Sequence, residues 1–178
     1  MVKHHILVAI DPGLTGAVAI FRDGVPEIHD MPVIADRTGG KKSVDINGVI
    51  ELIPEGTDLV VLEQQQSMPK QGIASTFQTG LNYGRLLGLL VTLALPHKIV
   101  TPRAWSKDVG RPAKSGKEWN IAEARRRWPE LTKILLKSKD GRADALLIGA
   151  SALGMDGPEP EEAPPVEGKD EPVVLPAW

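Results

Sequence analysis

The stretch His5–Phe21, HILVAIDPGLTGAVAIF, decides the fold. An apolar run ends on Asp11, Pro-Gly-Leu-Thr-Gly turns the chain, and a second apolar run follows. Short apolar runs bounded by Gly/Pro turns predict buried strands. The carboxylate at the seam is the exception. A buried charge needs a partner, a proton or a metal.

Working outward, the Arg22–Gly24 "RDG" is a hairpin signal into a third strand, Val25–Met31. These three strands predict an antiparallel meander. Met31–Ser43, MPVIADRTGGKKS, reads as a flexible polar loop, and Asp45 is placed to cap a helix over 46–54. Thr57–Gln64, TDLVVLEQ, predicts a fourth strand ending at Glu63. A Leu-rich helix is expected over 74–95 and a short strand over 97–100. Another helix opens at Pro102, a further one spans 116–127 and stops at Pro129, and the last covers 140–153. Antiparallel strands followed by strands alternating with helices predict an α/β fold: a mixed five-stranded sheet with helices on both faces.

The 178 residues divide into a domain over 1–154 and an acidic, Pro-rich tail over 155–178, expected to be extended or disordered. The absence of cysteine excludes disulfides, thiolate chemistry and Cys-type zinc sites. No apolar run approaches the ~20 residues of a membrane span, and the start shows no signal-peptide pattern. A soluble cytoplasmic protein without a membrane partner is expected. The net charge of −2 hides an asymmetry: residues 98–142 carry thirteen Lys/Arg against five Asp/Glu, whereas residues 156–178 carry seven acids and one Lys. The basic stretch is a candidate surface for a polyanion such as nucleic acid. The four histidines show no ligand spacing.

Three acids sit where core is expected. Asp11 closes the first strand, Glu63 closes the fourth, and Asp144 lies within GRADALLIGASAL, with Asp140 four residues earlier on the same helical face. Each alone also reads as a turn cap or a lysine's partner. Together they point to divalent cations, which favour oxygen ligands. Two such ions can cleave a phosphodiester.

The segments AIDPGLTGAVAIF, LVVLEQ and DGRADALLIGA, in that order, resemble the RuvC-type Holliday junction resolvases. MPKQGIASTFQTGLNYGRLLG and VTPRAWSKDVG are most similar to the phage-encoded branch, and the likeness covers residues 4–153. The resemblance implies an RNase H-like fold and a homodimeric endonuclease with two Mg²⁺ or Mn²⁺ ions per active site. Such an enzyme nicks four-way or branched DNA symmetrically, leaving 5′-phosphates, in a bacterial or phage-infected cell. Carried onto this sequence, its catalytic metal ligands are Asp11, Glu63 and Asp144. The family's fourth position, three residues before the last Asp, is Gly141 here, so Asp140 is the substitute candidate. Arg103, Lys107, Arg111, Lys114 and Lys117 match its phosphate-binding positions, with Lys70 placed near the junction backbone. The bacterial aromatic wedge is missing from QQQSMPKQG, which leaves Met68 or Gln66 as wedge candidates. Phe77, Gly80, Leu81, Gly84 and Gly88 form a candidate dimer face on the long helix. Arg125–Arg127 read as a solvated helix end, and Trp105 and Trp128 as packing residues.

Rival readings share the first motif. AIDPGLTGAV also fits the phosphate loop of actin-like and sugar-kinase-like ATPases, which place nucleotide between two duplicated domains, and this length holds one. Other RNase H-like nucleases, including resolvase-like pre-rRNA processing enzymes, and a non-catalytic binder of branched DNA remain open.

Overall fold

The computed structural model describes residues 4–35, 42–67 and 70–155. β1 (Ile6–Asp11), β2 (Ala17–Arg22) and β3 (Val25–Asp30) form the expected meander. β6 (Leu59–Glu63) and β7 (His97–Val100) then add parallel to the other edge of β1, giving the order β3-β2-β1-β6-β7. The predicted mixed five-stranded sheet is present. β1 is its centre because its residues are apolar on both faces, as a strand covered by helices on each side must be.

Alternation sorts the core into two layers. Leu7, Ala9, Ala19, Phe21 and Val61 face one side, and Val8, Ile10, Val18, Ile20, Val60 and Leu62 face the other. The second layer is covered by α1 (Ile46–Leu52) and α2 (Ile73–Thr92). The first is covered by α3 (Pro102–Asp108), α4 (Lys117–Arg127) and α5 (Asp140–Leu153). Small residues at Ala9, Ala17 and Ala19 let α5 lie close on the sheet. A Cβ at Gly149 would stand 2.1 Å from the Phe21 ring. That ring also meets Trp128 edge-on, with centroids 6.0 Å apart.

The helix signals act as expected. Asp45 caps α1 by accepting from Asn47 N–H at 3.1 Å, and Thr101 caps α3 ahead of Pro102. Gly154 closes α5 in the left-handed region, at φ +66°. One expectation is corrected: the segment read as a loop over Met31–Ser43 contains β4 (Val33–Ala35), paired antiparallel with β5 (Lys42–Val44). Val44 is buried in the α2 layer, and its N–H donates to Asn82 Oδ1 at 3.3 Å, so a tertiary contact organises a segment too short and polar to show a period.

Candidate active site

β1 and β6 run parallel with Ile10 opposite Leu62, so Asp11 and Glu63 each stand one residue beyond that pair at the C-terminal edge of the sheet. This is where ligands gather in parallel sheets. Asp144 reaches the same place from the second turn of α5. The three carboxylates act on one another. Burial, reinforced by the facing Glu63 and Asp144, pushes the Asp11 carboxyl up to about 7. Burial raises Glu63 as well, with Asp144 adding to it. Asp144 is raised by burial and, more weakly, by Asp140.

Two neutral donors hold these acids. Trp105 Nε1–H donates to Glu63 Oε1 at 2.7 Å, and Asn120 Nδ2 donates to Asp144 Oδ1 at 2.6 Å. Each bond favours the ionised form and so opposes the burial effect. Asn120 Oδ1 is buried without a partner among the described residues. Neither role is legible in the sequence. Trp105 is the packing residue expected, yet its indole N–H also touches a site acid. No local pattern announces either bond, because the partners lie 42 and 24 residues apart.

The gap at position 141 has a steric cause. A Cβ at Gly141 would lie 2.5 Å from Thr15 O, 2.7 Å from Gly16 Cα and 2.9 Å from Asp11 Oδ2. α5 therefore packs directly on the β1–β2 turn, leaving no room for a fourth side chain there. Asp140 instead binds Lys117, and that bond raises the lysine's pKa. Lys117 also faces Asp11, Glu63 and Asp144 electrostatically. On the far side of α5, Arg142 and Lys139 clasp Asp30 at 2.7 Å each. The Arg142 hydrogen bond, with Lys139 adding to it, holds the Asp30 carboxyl down to about 2.

Among the described residues, no three His, Asp or Glu side chains enclose a cation by themselves. The donor chemistry nonetheless suits a hard divalent ion. All donors are oxygens, their mutual repulsion lacks a full counter-charge, and Mg²⁺ retains waters where protein ligands are few.

Arg103, Lys107, Arg111 and Lys114 line one open groove of about 800 Å³. Arg111 is fixed across it by Ser115, through Nε to Oγ at 3.1 Å and Nη2 to the carbonyl at 2.8 Å. It also acts electrostatically on Asp144. Lys117 lies outside this groove, in a smaller cavity with Asp140. Lys70 is exposed just ahead of α2. Gln66 is exposed, and Met68 lies outside the described residues. On α2, Phe77 is 71% and Leu81 37% exposed, and Gly80, Gly84 and Gly88 face open space.

The arginines of α4 need correction. The Arg127 side chain is only 8% exposed, its Nε bonded to the buried Glu123 at 2.6 Å. Arg125 donates to Leu135 O at 3.1 and 2.5 Å. Only Arg126 keeps an exposed head, and it also meets Glu123. The run ties α4 to its surroundings, a role charge patterning does not reveal.

No family model matches the chain. A stretch of 88 residues, 49% of the chain, is 36% identical to the chloroplastic Holliday junction resolvase MOC1 of Chlamydomonas reinhardtii, and it spans 10% of that protein's length. Thermus thermophilus RuvC in complex with a Holliday junction substrate matches with a TM-score of 0.55 and 16% identity, covering 85% of this chain and 94% of that one. A second T. thermophilus RuvC structure gives 0.52 and 16%, covering 84% and 93%. By fold the chain is RuvC-like, and along 49% of its length its sequence resembles a Holliday junction resolvase.

Proposed function

We propose that the chain is a metal-dependent endonuclease that resolves four-way DNA junctions by paired, symmetric nicks. The observation that supports this best is the meeting of Asp11, Glu63 and Asp144 at one sheet edge, beside a groove lined by four basic side chains. Asp11, Glu63 and Asp144 would hold Mg²⁺ or Mn²⁺, two ions in all, with Asp140 as fourth candidate. Such ions supply an activated water and stabilise the leaving oxygen. The chain's own residues do the rest. Trp105 and Asn120 fix the orientation of Glu63 and Asp144. Lys117 brings positive charge to a phosphate arriving among the acids. Arg103, Lys107, Arg111 and Lys114, with Lys70, bind flanking phosphates, which position DNA without reading its sequence. A water oxygen bonds to phosphorus while the bond to O3′ breaks. O3′ leaves as a hydroxyl after taking a proton, and the 5′-phosphate stays on the other fragment.

Paired cutting needs two sites related by a two-fold axis. The exposed stripe of Ile73, Phe77 and Leu81, with the open glycines beside it, is the face on which a second copy would dock. Gln66, exposed just past β6, and Met68, by its position in the sequence, are the candidates to enter the junction.

With Mn²⁺ or Mg²⁺, the protein is expected to cut a synthetic four-way junction in paired nicks far faster than linear duplex. Equal cutting of both, or cutting of RNA hybrids alone, would overturn the reading. Asp144→Asn should abolish cleavage and leave junction binding intact. Phe77→Glu should shift the protein to monomer in light scattering and uncouple the two nicks.

A further inference from the structure

The open groove along α3 is basic and lacks counter-charge. Arg103, Lys107, Arg111 and Lys114 line it, and among the described residues no Asp or Glu does. Arg103, Lys107 and Lys114 are exposed and have no carboxylate partner among the described residues. Like charges gathered in this way repel one another and attract the nearest polyanion.

The chain itself brings one to the edge of the groove. Ser151 Oγ donates to Asp108 Oδ2 at 2.7 Å, which fixes the end of α5 to the end of α3. Just beyond, Arg127 grips both segments: Nη1 donates to Met155 O at 3.1 Å and Nη2 to Val109 O at 3.4 Å. One guanidinium therefore separates Met155 from Val109, and Gly110, the next residue, already lines the groove. Residues 156–178 lie outside the described residues, and their sequence carries seven acids against one Lys. Three of those acids, Glu159, Glu161 and Glu162, come four to seven residues after Met155. A Pro-rich chain extends about 3.1 Å per residue, so they reach roughly 12 to 22 Å from Met155. A helix with its side chains is about 10–12 Å across. That reach carries all three acids around α3 and into the groove.

We propose that the acidic segment holding Glu159, Glu161 and Glu162 occupies the basic groove of its own chain when DNA is absent, and that a DNA strand must displace it to bind there. A tether supplies an effective concentration near 1 mM, and a weak polyanion contact has a Kd of about 0.1 mM, so the segment lowers DNA affinity about 10-fold. The inference rests on the nuclease reading for its consequence, but the contact can be measured without DNA. Carbodiimide joins a carboxylate to an amine that touches it. In the intact chain, mass spectrometry should find Glu159, Glu161 or Glu162 joined to Lys107 or Lys114, and excess junction DNA should suppress those links. Mixed ¹⁵N-labelled and unlabelled protein should show them within one chain. E159Q, E161Q and E162Q together should tighten junction binding in Ca²⁺ about 10-fold at low salt, a gain that vanishes at high salt. Glu51, Glu55 and Glu130 are exposed elsewhere; changing all three to Gln removes the same charge and should give much less. No link to a groove lysine, links only between two chains, or equal gains in the two triple variants would overturn the contact. Failure of the nuclease reading shows separately, as a chain that cuts no junction while the links persist.

Discussion

At the scale of single residues, the site is a set of buried carboxyls that disfavour one another's ionisation. The Asp11 carboxyl titrates near 7 when folded, against an ordinary 3.8. Between those values the folded state holds a proton that the unfolded chain has released, so this group makes metal-free stability fall as pH rises through that window. Asp11→Asn should therefore melt higher than wild type at about pH 8 without metal, by a few degrees, and the gap should close toward about pH 4. Adding Mn²⁺ at the higher pH should raise the wild-type Tm and leave the variant's unchanged; calorimetry across pH, with and without metal, reads both. The donors have their own signature. Trp105→Phe keeps the buried ring but removes the bond to Glu63, and Asn120→Ala removes the one to Asp144. Each should raise the Mn²⁺ concentration for half-maximal cleavage about 10- to 100-fold, the usual cost of removing a group that orients a ligand.

At the scale of elements, the close seat of α5 on the β1–β2 turn keeps any side chain out of position 141. Gly141→Asp would restore the acid that the family pattern places there. With backbone atoms 2.5–2.7 Å from its Cβ, it should instead unfold more easily, by roughly 3 kcal/mol or more in urea melts, and recover no activity. The same scale shows what could be read beforehand. β1, β2, β6 and α5 were legible because each is an apolar run of the right length, and the three site acids stood out by interrupting those runs. β4 and β5 were not, because three-residue strands have too few positions to display a period. The Arg127–Glu123 pair was hidden for another reason. A charged helix end looks alike whether water or protein covers it, and only the placement of α3 and the end of α5 buries this one, through Val109 O and Met155 O.

For the whole molecule, the basic groove predicts how binding responds to salt. Removing one cation that neutralises a phosphate should flatten the slope of log affinity against log salt by about 0.9. Lys107→Ala and Lys114→Ala, titrated with a junction over a range of KCl, should each do so, whereas Lys133→Ala, which does not line the groove, should not. A slope unchanged in all three would move the DNA elsewhere.

α5 touches β1, β2, β3, α3 and α4, and Ala145–Ala150 are wholly buried. Backbone amides there can reach solvent only when the domain comes apart, so in native-state hydrogen exchange they should be among the last to take up deuterium. The exposed first turns of α2 should exchange through much cheaper local openings. Mild heat or denaturant should thus loosen the first turns of α2, the face proposed for a second copy, while Asp144 keeps its place. On a warming protein, loss of coordinated cutting should precede loss of the ability to cut at all.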